Sequence, residues 1–472
     1  MLFPLCSVDV GNYAFLYKTK KIIKKSRAFL QNVKNTAKNH FNFKLKKGAN
    51  VMFREEKYTT KNGVDIFSYK NPNIHGFYIS LFLRAGSMHE EISGITHFLE
   101  HAAIRNVGSL MNGGLYSTLD RYGMDFNAST FSEMVQFYIT GASANFDRAS
   151  EIICRLLSPI ALSSDEIRAE RDRIKAEIRE SDDRTSLPTF AYNIVYEGTT
   201  LARTITGTLG EVQKITKTKL ENYRRSIMTA ENMFFYVTGS FTDDNIERLA
   251  SLIEGYSLES GVMQQNIATV CSKFGKRDTH VYVKNADFTM LRFTFDMDMT
   301  KVSVAESDLL YDLLLGGYNS RLFIEMSEKR GMFYDISGSS DKYSNIGSLV
   351  FFFEVKGDTL VSAVETVVEI LRDFKKNSIS PEDMMWADYV DNAGLLYDDA
   401  RELNFVFAYD NHVMNAGYSS VEERAEMYRS VTPDRLREVA EMIFRPENLT
   451  LAIKGNKKKI DIEKLEEIVN KL

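Results

Sequence analysis

The sequence has few of the features that would place it among disulfide-rich, membrane-spanning or disordered proteins. Its 472 residues include only three cysteines, Cys6, Cys154 and Cys271, too few and too scattered for a disulfide framework or a cysteine-based metal site. No apolar run approaches the roughly 20 residues of a membrane helix, so no membrane span is expected. A hydrophobic content of 44% with 26% charged residues excludes wholesale disorder and suffices for two domains of ordinary size. These features indicate a soluble intracellular protein.

Histidine is also scarce, yet two of the seven histidines lie four positions apart in the segment His97-Phe98-Leu99-Glu100-His101. Side chains four apart on a helix share a face, so both imidazoles can bind one metal ion, and Glu100 reaches the same side. A zinc ion there would lower the pKa of its bound water to about 7, and Glu100 would accept the proton. The order is the reverse of the more common His-Glu-x-x-His. Because so short a motif also arises by chance, a third ligand is needed to support a zinc site.

A helix that can supply this ligand is predicted over residues 163–178. Ser163 and Glu166 form a capping box at its start. Its apolar stripe is marked by three isoleucines, Ile167, Ile174 and Ile178. Glu170 and Glu177 fall within that stripe, where an unpaired carboxylate would be costly, so both need a cation or strong hydrogen bonds. The alternative is an inner helix face that is partly hydrated or paired with an arginine.

Several stretches of the chain together match a known pattern. They are Gly86 to Glu91, Gly94 to His101, Glu170-Arg171 and Ile174 to Ile178. This pattern resembles the insulinase/pitrilysin (M16) family of inverted-zincin peptidases, and over residues 57 to 472 it is most similar to the two-domain branch containing the mitochondrial processing peptidase. The resemblance implies that His97, His101 and Glu177 bind Zn²⁺. Glu100 would then be the catalytic base, and Glu170 would hold a ligand in place.

An internal repeat is present with an offset of 216 residues. Residues 231–239 match 447–455, and residues 136–141 match 352–357 with the same offset. One offset at two separated anchors indicates a duplicated domain. Each copy has a pattern of strands, then helices, then a final strand followed by a helix. The prediction is therefore an α+β fold with two homologous domains, each a mostly antiparallel sheet with helices packed on it.

The second copy is expected to lack the metal site. The positions that correspond to the two histidines and two glutamates of the motif are occupied by Leu313, Gly316, Gly317 and Ala393. None of these side chains binds zinc. We therefore expect the second copy to close the site or to handle the substrate.

The resemblance also assigns substrate contacts to the second copy. Gly316 and Gly317 lie in a short form of the family's glycine-rich loop, and Tyr334 corresponds to a tyrosine that contacts the substrate near the scissile bond. Tyr334 would hydrogen-bond the developing oxyanion. Ser327 stands where the family usually has an arginine, so the usual efficiency or substrate range does not carry over. The alternative is that the two glycines break a helix and Tyr334 packs in the core.

Residues 125–133 resemble the family's edge strand next to the zinc. Through Asn127, Ala128 and Ser129, an extended peptide would add a strand by main-chain hydrogen bonds that ignore side-chain identity. Substrates would then be unfolded or flexible segments. The alternative is an edge strand whose small polar residues only discourage aggregation.

Charge is distributed unevenly along the chain. Residues 1–54 contain twelve Lys/Arg and one acid, a net charge of +11, whereas the whole chain carries −5. Because lysine outnumbers arginine and serine is scarce, a solvated or protein-docked extension is favoured over an organellar presequence. We expect the zinc-binding domain at 57–256, a linker at 257–277 and the homologous domain at 278–472. The expected location is the cytoplasm, with a mitochondrion or another organelle as the alternative.

These features predict a zinc endopeptidase that cleaves peptides or unfolded protein segments enclosed in a chamber. In the two-domain branch of the family, the tyrosine-bearing domain that faces a zinc site belongs to a second chain, so the resemblance implies a homodimer or a heterodimer with a paralogue. No nucleic-acid partner is expected. The alternative is a catalytically silent member of the family that acts as a structural or partner subunit, as the respiratory-complex core proteins do.

Overall fold

The computed structural model describes most of the chain after the basic extension. The described residues are 53–181, 186–264, 279–282, 286–316, 318–333, 336–377, 379–380, 382–384 and 400–472, with the backbone alone at 181, 190 and 279–282. Some predictions therefore lie outside the described residues: those for residues 1–52 of the extension, residues 265–277 of the linker, Gly317, Tyr334 and Ala393. Within the described part, no helix is long and apolar enough to cross a membrane.

The first half of the chain forms a six-stranded sheet. Its strands are β1 (Glu55–Thr59), β2 (Asp65–Lys70), β3 (Gly76–Leu83), β4 (Asp125–Thr130), β5 (Val135–Ala142) and β6 (Met233–Gly239). The spatial order is β1-β2-β6-β3-β5-β4, in which β2 and β6 are parallel and all other neighbours are antiparallel. Strand β4 therefore lies at an edge of the sheet, where the sequence predicts an edge strand.

The second half repeats this arrangement with five strands. They are β7 (Thr279–Tyr282), β8 (Phe288–Met297), β9 (Ile336–Lys342), β10 (Gly347–Lys356) and β11 (Leu449–Gly455). The spatial order is β7-β11-β8-β10-β9, with β7 and β11 parallel and the other neighbours antiparallel. Order and direction match those of β2-β6-β3-β5-β4, so the two sheets share one topology.

Helices connect and flank the strands in both halves. In the first half they are α1 (Ile95–Leu110), α2 (Leu115–Tyr122), α3 (Phe146–Cys154), α4 (Ser164–Ser181), α5 (Leu187–Val195), α6 (Leu209–Val212), α7 (Lys217–Ile227) and α8 (Asp243–Glu254). In the second half they are α9 (Val304–Leu315), a π-helical turn (Phe323–Glu328), α10 (Leu360–Lys376), α11 (Ala400–His412), α12 (Val421–Arg429), α13 (Pro433–Ile443) and α14 (Ile462–Val469).

The repeat predicted from the sequence is confirmed in the elements themselves. Strands β6 and β11 differ by 216 residues at both ends, and so do helices α7 and α13. Each sheet has its own apolar core, with Ile79 and Leu81 of β3 in the first and Phe293 and Phe295 of β8 in the second. The α+β fold class with two homologous halves is therefore correct, and the exact domain limits stay a prediction.

The two halves exchange a helix. Helix α5 of the first half packs on β8 and β11 of the second sheet, and α11 of the second half packs on β3 and β6 of the first. At the centre of the second contact, the fully buried Asn404 donates to the main-chain oxygens of Tyr78 (3.2 Å) and Tyr236 (2.9 Å). The hydroxyl of Ser80 donates to the Asn404 Oδ1 atom at 2.6 Å. The exchange therefore fixes the second half against the sheet that carries β4.

Replacement of Asn404 by alanine is expected to lower the free energy of unfolding by about 2–4 kcal/mol, because buried polar groups lose their partners at about 1–3 kcal/mol each. Asn470→Ala, an exposed position in the same half, is the matched control and should stay within about 0.5 kcal/mol of the parent. Urea unfolding of the three proteins measures the difference. Equal stability of Asn404→Ala and the parent would show that the exchanged helix contributes nothing at this position.

Candidate metal centre

Helix α1 carries the two histidines, and its first turn is firmly anchored. Gly94, which precedes it, has φ of +83°, and a Cβ there would lie 2.6 Å from the Thr206 carbonyl oxygen. The buried carboxylate of Glu90 accepts hydrogen bonds from the Gly94 N–H (2.7 Å) and the Thr96 N–H (2.9 Å). Burial raises the pKa of Glu90 to about 7, although the bonds from Thr96 and Gly94 oppose the shift. These contacts satisfy free donors of the helix and fix where His97 lies.

His97 and His101 face Glu177 of helix α4. The Nε2 atom of His97 lies 3.6 Å from one carboxylate oxygen of Glu177, and the Nε2 atom of His101 lies 3.6 Å from the other. Both histidines are buried, with 6% and 7% of their surface exposed, and Glu177 is half-buried. Among the described residues, these three form a cluster whose possible ligand atoms all lie within 4.8 Å of one another.

This donor set fits a zinc ion. The separations of 3.6 Å are too long for hydrogen bonds. Two ligand atoms that each lie about 2.1 Å from a tetrahedral ion are about 3.4 Å apart, close to what is observed here. Two imidazoles and one carboxylate are also a known combination for catalytic zinc, which leaves a coordination position for water or substrate.

Glu170 lies two turns before Glu177 on α4 and contacts His101 from the other side. Its Oε2 atom is 3.4 Å from the Nδ1 atom of His101, and its Oε1 atom accepts a hydrogen bond of 2.6 Å from Arg105. Arg173 approaches Oε2 at 3.4 Å from a more exposed position. Burial would raise the pKa of Glu170, but the bonds from His101 and Arg105 lower it overall. An ionised Glu170 can therefore orient His101 so that Nε2 faces Glu177.

Glu100 lies between the two histidines and is 6% exposed. The hydroxyl of Thr130, the last residue of β4, donates to its Oε2 atom at 2.6 Å. Burial raises the pKa of Glu100, and His101 and the bond from Thr130 partly oppose this. The carboxylate of the predicted base is thereby joined to the edge strand.

The pKa values of His97, His101 and Glu177 are shifted by burial and by the charges of the neighbouring groups. Burial, with a contribution from His101, holds the pKa of His97 well below its ordinary value. Burial alone would also lower the pKa of His101, but the hydrogen bond with Glu170 and the surrounding carboxylates raise it overall. Burial raises the pKa of Glu177, with the charge of His101 opposing it. Without a metal ion, the protein environment thus disfavours the charged form of His97 and favours that of His101.

The other predicted residues lie farther from the cluster. Asn127, Ala128 and Ser129 are on β4, immediately before Thr130, so the edge strand runs beside Glu100. Gly316 follows α9 in the second half. Ser327 donates a hydrogen bond to the main-chain oxygen of Phe333 at 3.1 Å. In that half, the buried core residue Leu313 corresponds to His97.

Three residues near the cluster were not singled out from the sequence: Glu90, Arg105 and Thr130. Thr130 was detectable, since side chains two apart on a strand share a face and Ala128 is buried on the same side. The partnership of Arg105 with Glu170 depends on how α1 packs against α4, which no local pattern encodes.

Comparison with known proteins agrees with the family resemblance found in the sequence. Residues 65–209 match the family model described as insulinase (peptidase family M16), and residues 214–385 match that of the peptidase M16 inactive domain. An uncharacterized zinc protease of Rickettsia felis is 25% identical over 401 residues, which cover 81% of this chain and 93% of that protein. The β subunit of the mitochondrial-processing peptidase of Lentinula edodes is 28% identical over 196 residues, 41% of this chain and 42% of that subunit.

Among solved structures, a protease from Helicobacter pylori has the same fold, with a TM-score of 0.74 and 19% identity, and the match covers 86% of this chain and 100% of that one. Both M16 domain models match in sequence order and together account for most of the described residues. The chain belongs to the insulinase (M16) family of peptidases.

Proposed function

We propose that this protein is a zinc endopeptidase that cleaves peptides or unfolded protein segments. The observation that carries the proposal is the convergence of His97, His101 and Glu177, from two different helices, with their possible ligand atoms within 4.8 Å. Glu100 lies beside them as the candidate base. A cluster of this composition, buried and oriented by Glu170, supports metal-assisted hydrolysis.

In this proposal the side chains divide the work of peptide-bond hydrolysis. A zinc ion held by His97, His101 and Glu177 would polarise the scissile carbonyl and lower the pKa of a water molecule. Glu100 accepts the proton of the attacking water and delivers it to the nitrogen of the leaving amine. Because Thr130 holds the Oε2 atom of Glu100, we assign the proton to its Oε1 atom.

The substrate backbone would be bound by β4. Asn127, Ala128 and Ser129 occupy the outer strand of the first sheet, and the next residue, Thr130, contacts Glu100. A peptide that adds a strand there would run past the base, whatever its side chains. Such binding requires an extended substrate, so folded proteins should be cut only in flexible segments.

Further parts of the proposal concern assembly and the second half. Tyr334 would stabilise the oxyanion, and Gly316 and Gly317 would contact the substrate. These groups would come from a second chain, a copy of this one or a paralogue, so that a dimer encloses the chamber. We propose the cytoplasm as the location.

A catalytically silent family member is the second candidate. It is favoured by Ser327, which replaces an arginine that the family usually has. The first half argues against it, since a purely structural subunit needs neither a ligand set nor a base beside it. Zinc content together with peptide hydrolysis separates the two candidates.

Loss of a ligand and loss of the base should have different effects. His101→Ala and Glu177→Gln should abolish both zinc binding and hydrolysis of a quenched peptide, because a catalytic site needs three protein ligands. Glu100→Gln should keep one zinc per chain and lower turnover by roughly 10²–10⁴. Metal analysis and initial rates on the same preparations provide the test. Full zinc occupancy in both ligand variants, or parental turnover in Glu100→Gln, would refute the assigned roles.

Arg105 and Arg173 allow a matched comparison at Glu170. Arg105→Met removes the 2.6 Å bond that holds Glu170, and the zinc dissociation constant should rise by roughly 10–100-fold. Arg173→Met removes a 3.4 Å contact from a half-exposed side chain and should change it less than threefold. Competition with a zinc chelator measures both constants without any activity assay. Equal effects of the two substitutions would contradict a specific role for Arg105.

Subunit mixing tests the proposed chamber. Glu100→Gln and Tyr334→Phe chains should each be nearly inactive, and mixing them should restore part of the activity, because one mixed chamber combines an intact zinc site with an intact tyrosine. Exchange of subunits is verified first with two affinity tags. If tagged subunits exchange without rescue, Tyr334 does not act in the partner's site.

A further inference from the structure

Glu133 lies in the turn between β4 and β5, three residues after Thr130, and is 4% exposed. Its Oε1 atom is hydrogen-bonded to the hydroxyl of Tyr409 on α11, the helix that the second half contributes to the first sheet. The same hydroxyl is hydrogen-bonded to the main-chain oxygen of Lys342, at the end of β9. One hydroxyl group therefore joins the turn after the edge strand to the second sheet.

The proton count of this group is informative. A tyrosine hydroxyl has one proton and can donate one hydrogen bond. The oxygen of Lys342 is a carbonyl and can only accept, and an ionised Glu133 carboxylate can also only accept. Burial keeps the pKa of Tyr409 well above its ordinary value, so its single proton is retained. Both contacts are satisfied together only when Glu133 donates its own proton to Tyr409 and Tyr409 donates to Lys342.

Among the described residues, no cation is one of the groups that shift the pKa of Glu133. Among the described residues that face Glu133, Tyr409 and Asp341 have the main side-chain effects on its pKa. The ammonium group of Lys342 is paired with Asp308. Asp410, next to Tyr409, accepts a hydrogen bond from Tyr418 and lies 3.6 Å from Arg424.

The pKa of Glu133 agrees with this picture. Burial raises it to about 8; the hydrogen bond with Tyr409 and the main-chain N–H of Glu133 itself oppose the shift, and the negative charge of Asp341 adds to it. Ring contacts give the turn a fixed position, since Phe131 packs on Phe405 of α11 with 5.6 Å between ring centroids. Glu133 is therefore a buried carboxyl group with fixed partners and not an exposed side chain.

We propose that Glu133 is a positioning residue that carries a proton at neutral pH, and that the chain of hydrogen bonds from Glu133 through Tyr409 to Lys342 holds the edge strand β4 in place against the second half. Any effect of this chain of hydrogen bonds on peptide binding rests on the proposed function of β4. The chain of hydrogen bonds from Glu133 through Tyr409 to Lys342, called the tie below, does not itself depend on peptidase activity.

The tie has a defined pH dependence. Because the pKa of Glu133 is raised in the folded chain, to about 8 from an ordinary value of 4.5, folding takes up a proton between these two values. The stabilising contribution is complete below pH 4.5 and is lost as the pH rises through about 8. Above that pH the carboxylate is ionised, and the Tyr409 hydroxyl can serve only one of its two acceptors.

Glu133→Gln provides a sharp test, because an amide can donate to Tyr409 at every pH but cannot ionise. The unfolding equilibrium constant of the parent, divided by that of Glu133→Gln, should rise by up to about tenfold per pH unit between pH 5.5 and 8 and then level off. Glu467→Gln, at an exposed carboxylate paired with Lys464, is the control and should give a flat ratio. A flat ratio for Glu133→Gln would overturn the proposal.

Infrared spectroscopy provides a second measurement if unfolding proves irreversible. In the difference spectrum between the parent and Glu133→Gln, the carbonyl band of a protonated carboxylic acid should be present at pH 6. At pH 9.5 the band should be weaker in the parent and absent from the difference spectrum. If no such band separates parent and variant at pH 6, Glu133 is ionised and the proposal fails.

The effect of Glu133 on substrate binding is tested separately by measuring KM and kcat. Above pH 8 the KM of the parent for an extended peptide should rise more than that of Glu133→Gln, while zinc content stays equal. Equal KM profiles with an intact pH-dependent stability ratio would leave the tie in place and refute its role at β4. Absence of any hydrolysis would count against the proposed function alone.

Discussion

The structure depends most on the close packing of three carboxylates against two imidazoles at the contact of α1 and α4. Glu100, Glu170 and Glu177 cannot all be ionised in so small a volume without compensation. Arg105 and Arg173 compensate Glu170 from outside, and the hydroxyl of Thr130 binds Glu100. Among the described residues, the cationic partners of Glu177 are the two imidazoles, at distances longer than hydrogen bonds. A divalent cation at that point would balance the remaining negative charge.

The α1–α4 contact lies in the first of two duplicated halves. The two halves have sheets of the same topology, and each covers the other's sheet with one helix, α5 or α11. In the second half a buried leucine, Leu313, corresponds to His97, so the core at this position is apolar and holds no imidazole. The second half is thus free to serve other purposes. Through Asn404 and Tyr409 it contacts the sheet that carries β4 and the turn that follows β4.

The sequence alone predicted what local patterns encode. The capping box of Ser163 and Glu166, the buried stripe of α4 and the offset of 216 all agree with the structure because each depends on helical periodicity, capping chemistry or duplication. The approach of Glu177 to the histidines came from a resemblance and was visible locally only as a buried acid. The helix exchange, the Arg105–Glu170 pair and the Glu133–Tyr409 contact join residues 65 to 326 positions apart. Such contacts arise from tertiary packing, and no spacing rule in one sequence reveals them.

Anomalous X-ray diffraction from crystals grown with one equivalent of zinc would show directly whether zinc binds between α1 and α4. Data collected on both sides of the zinc absorption edge should show one anomalous peak per chain. We predict that the peak lies about 2.0–2.2 Å from the Nε2 atoms of His97 and His101 and from a carboxylate oxygen of Glu177. A peak elsewhere, with none among these three side chains, would show that they do not form the zinc site.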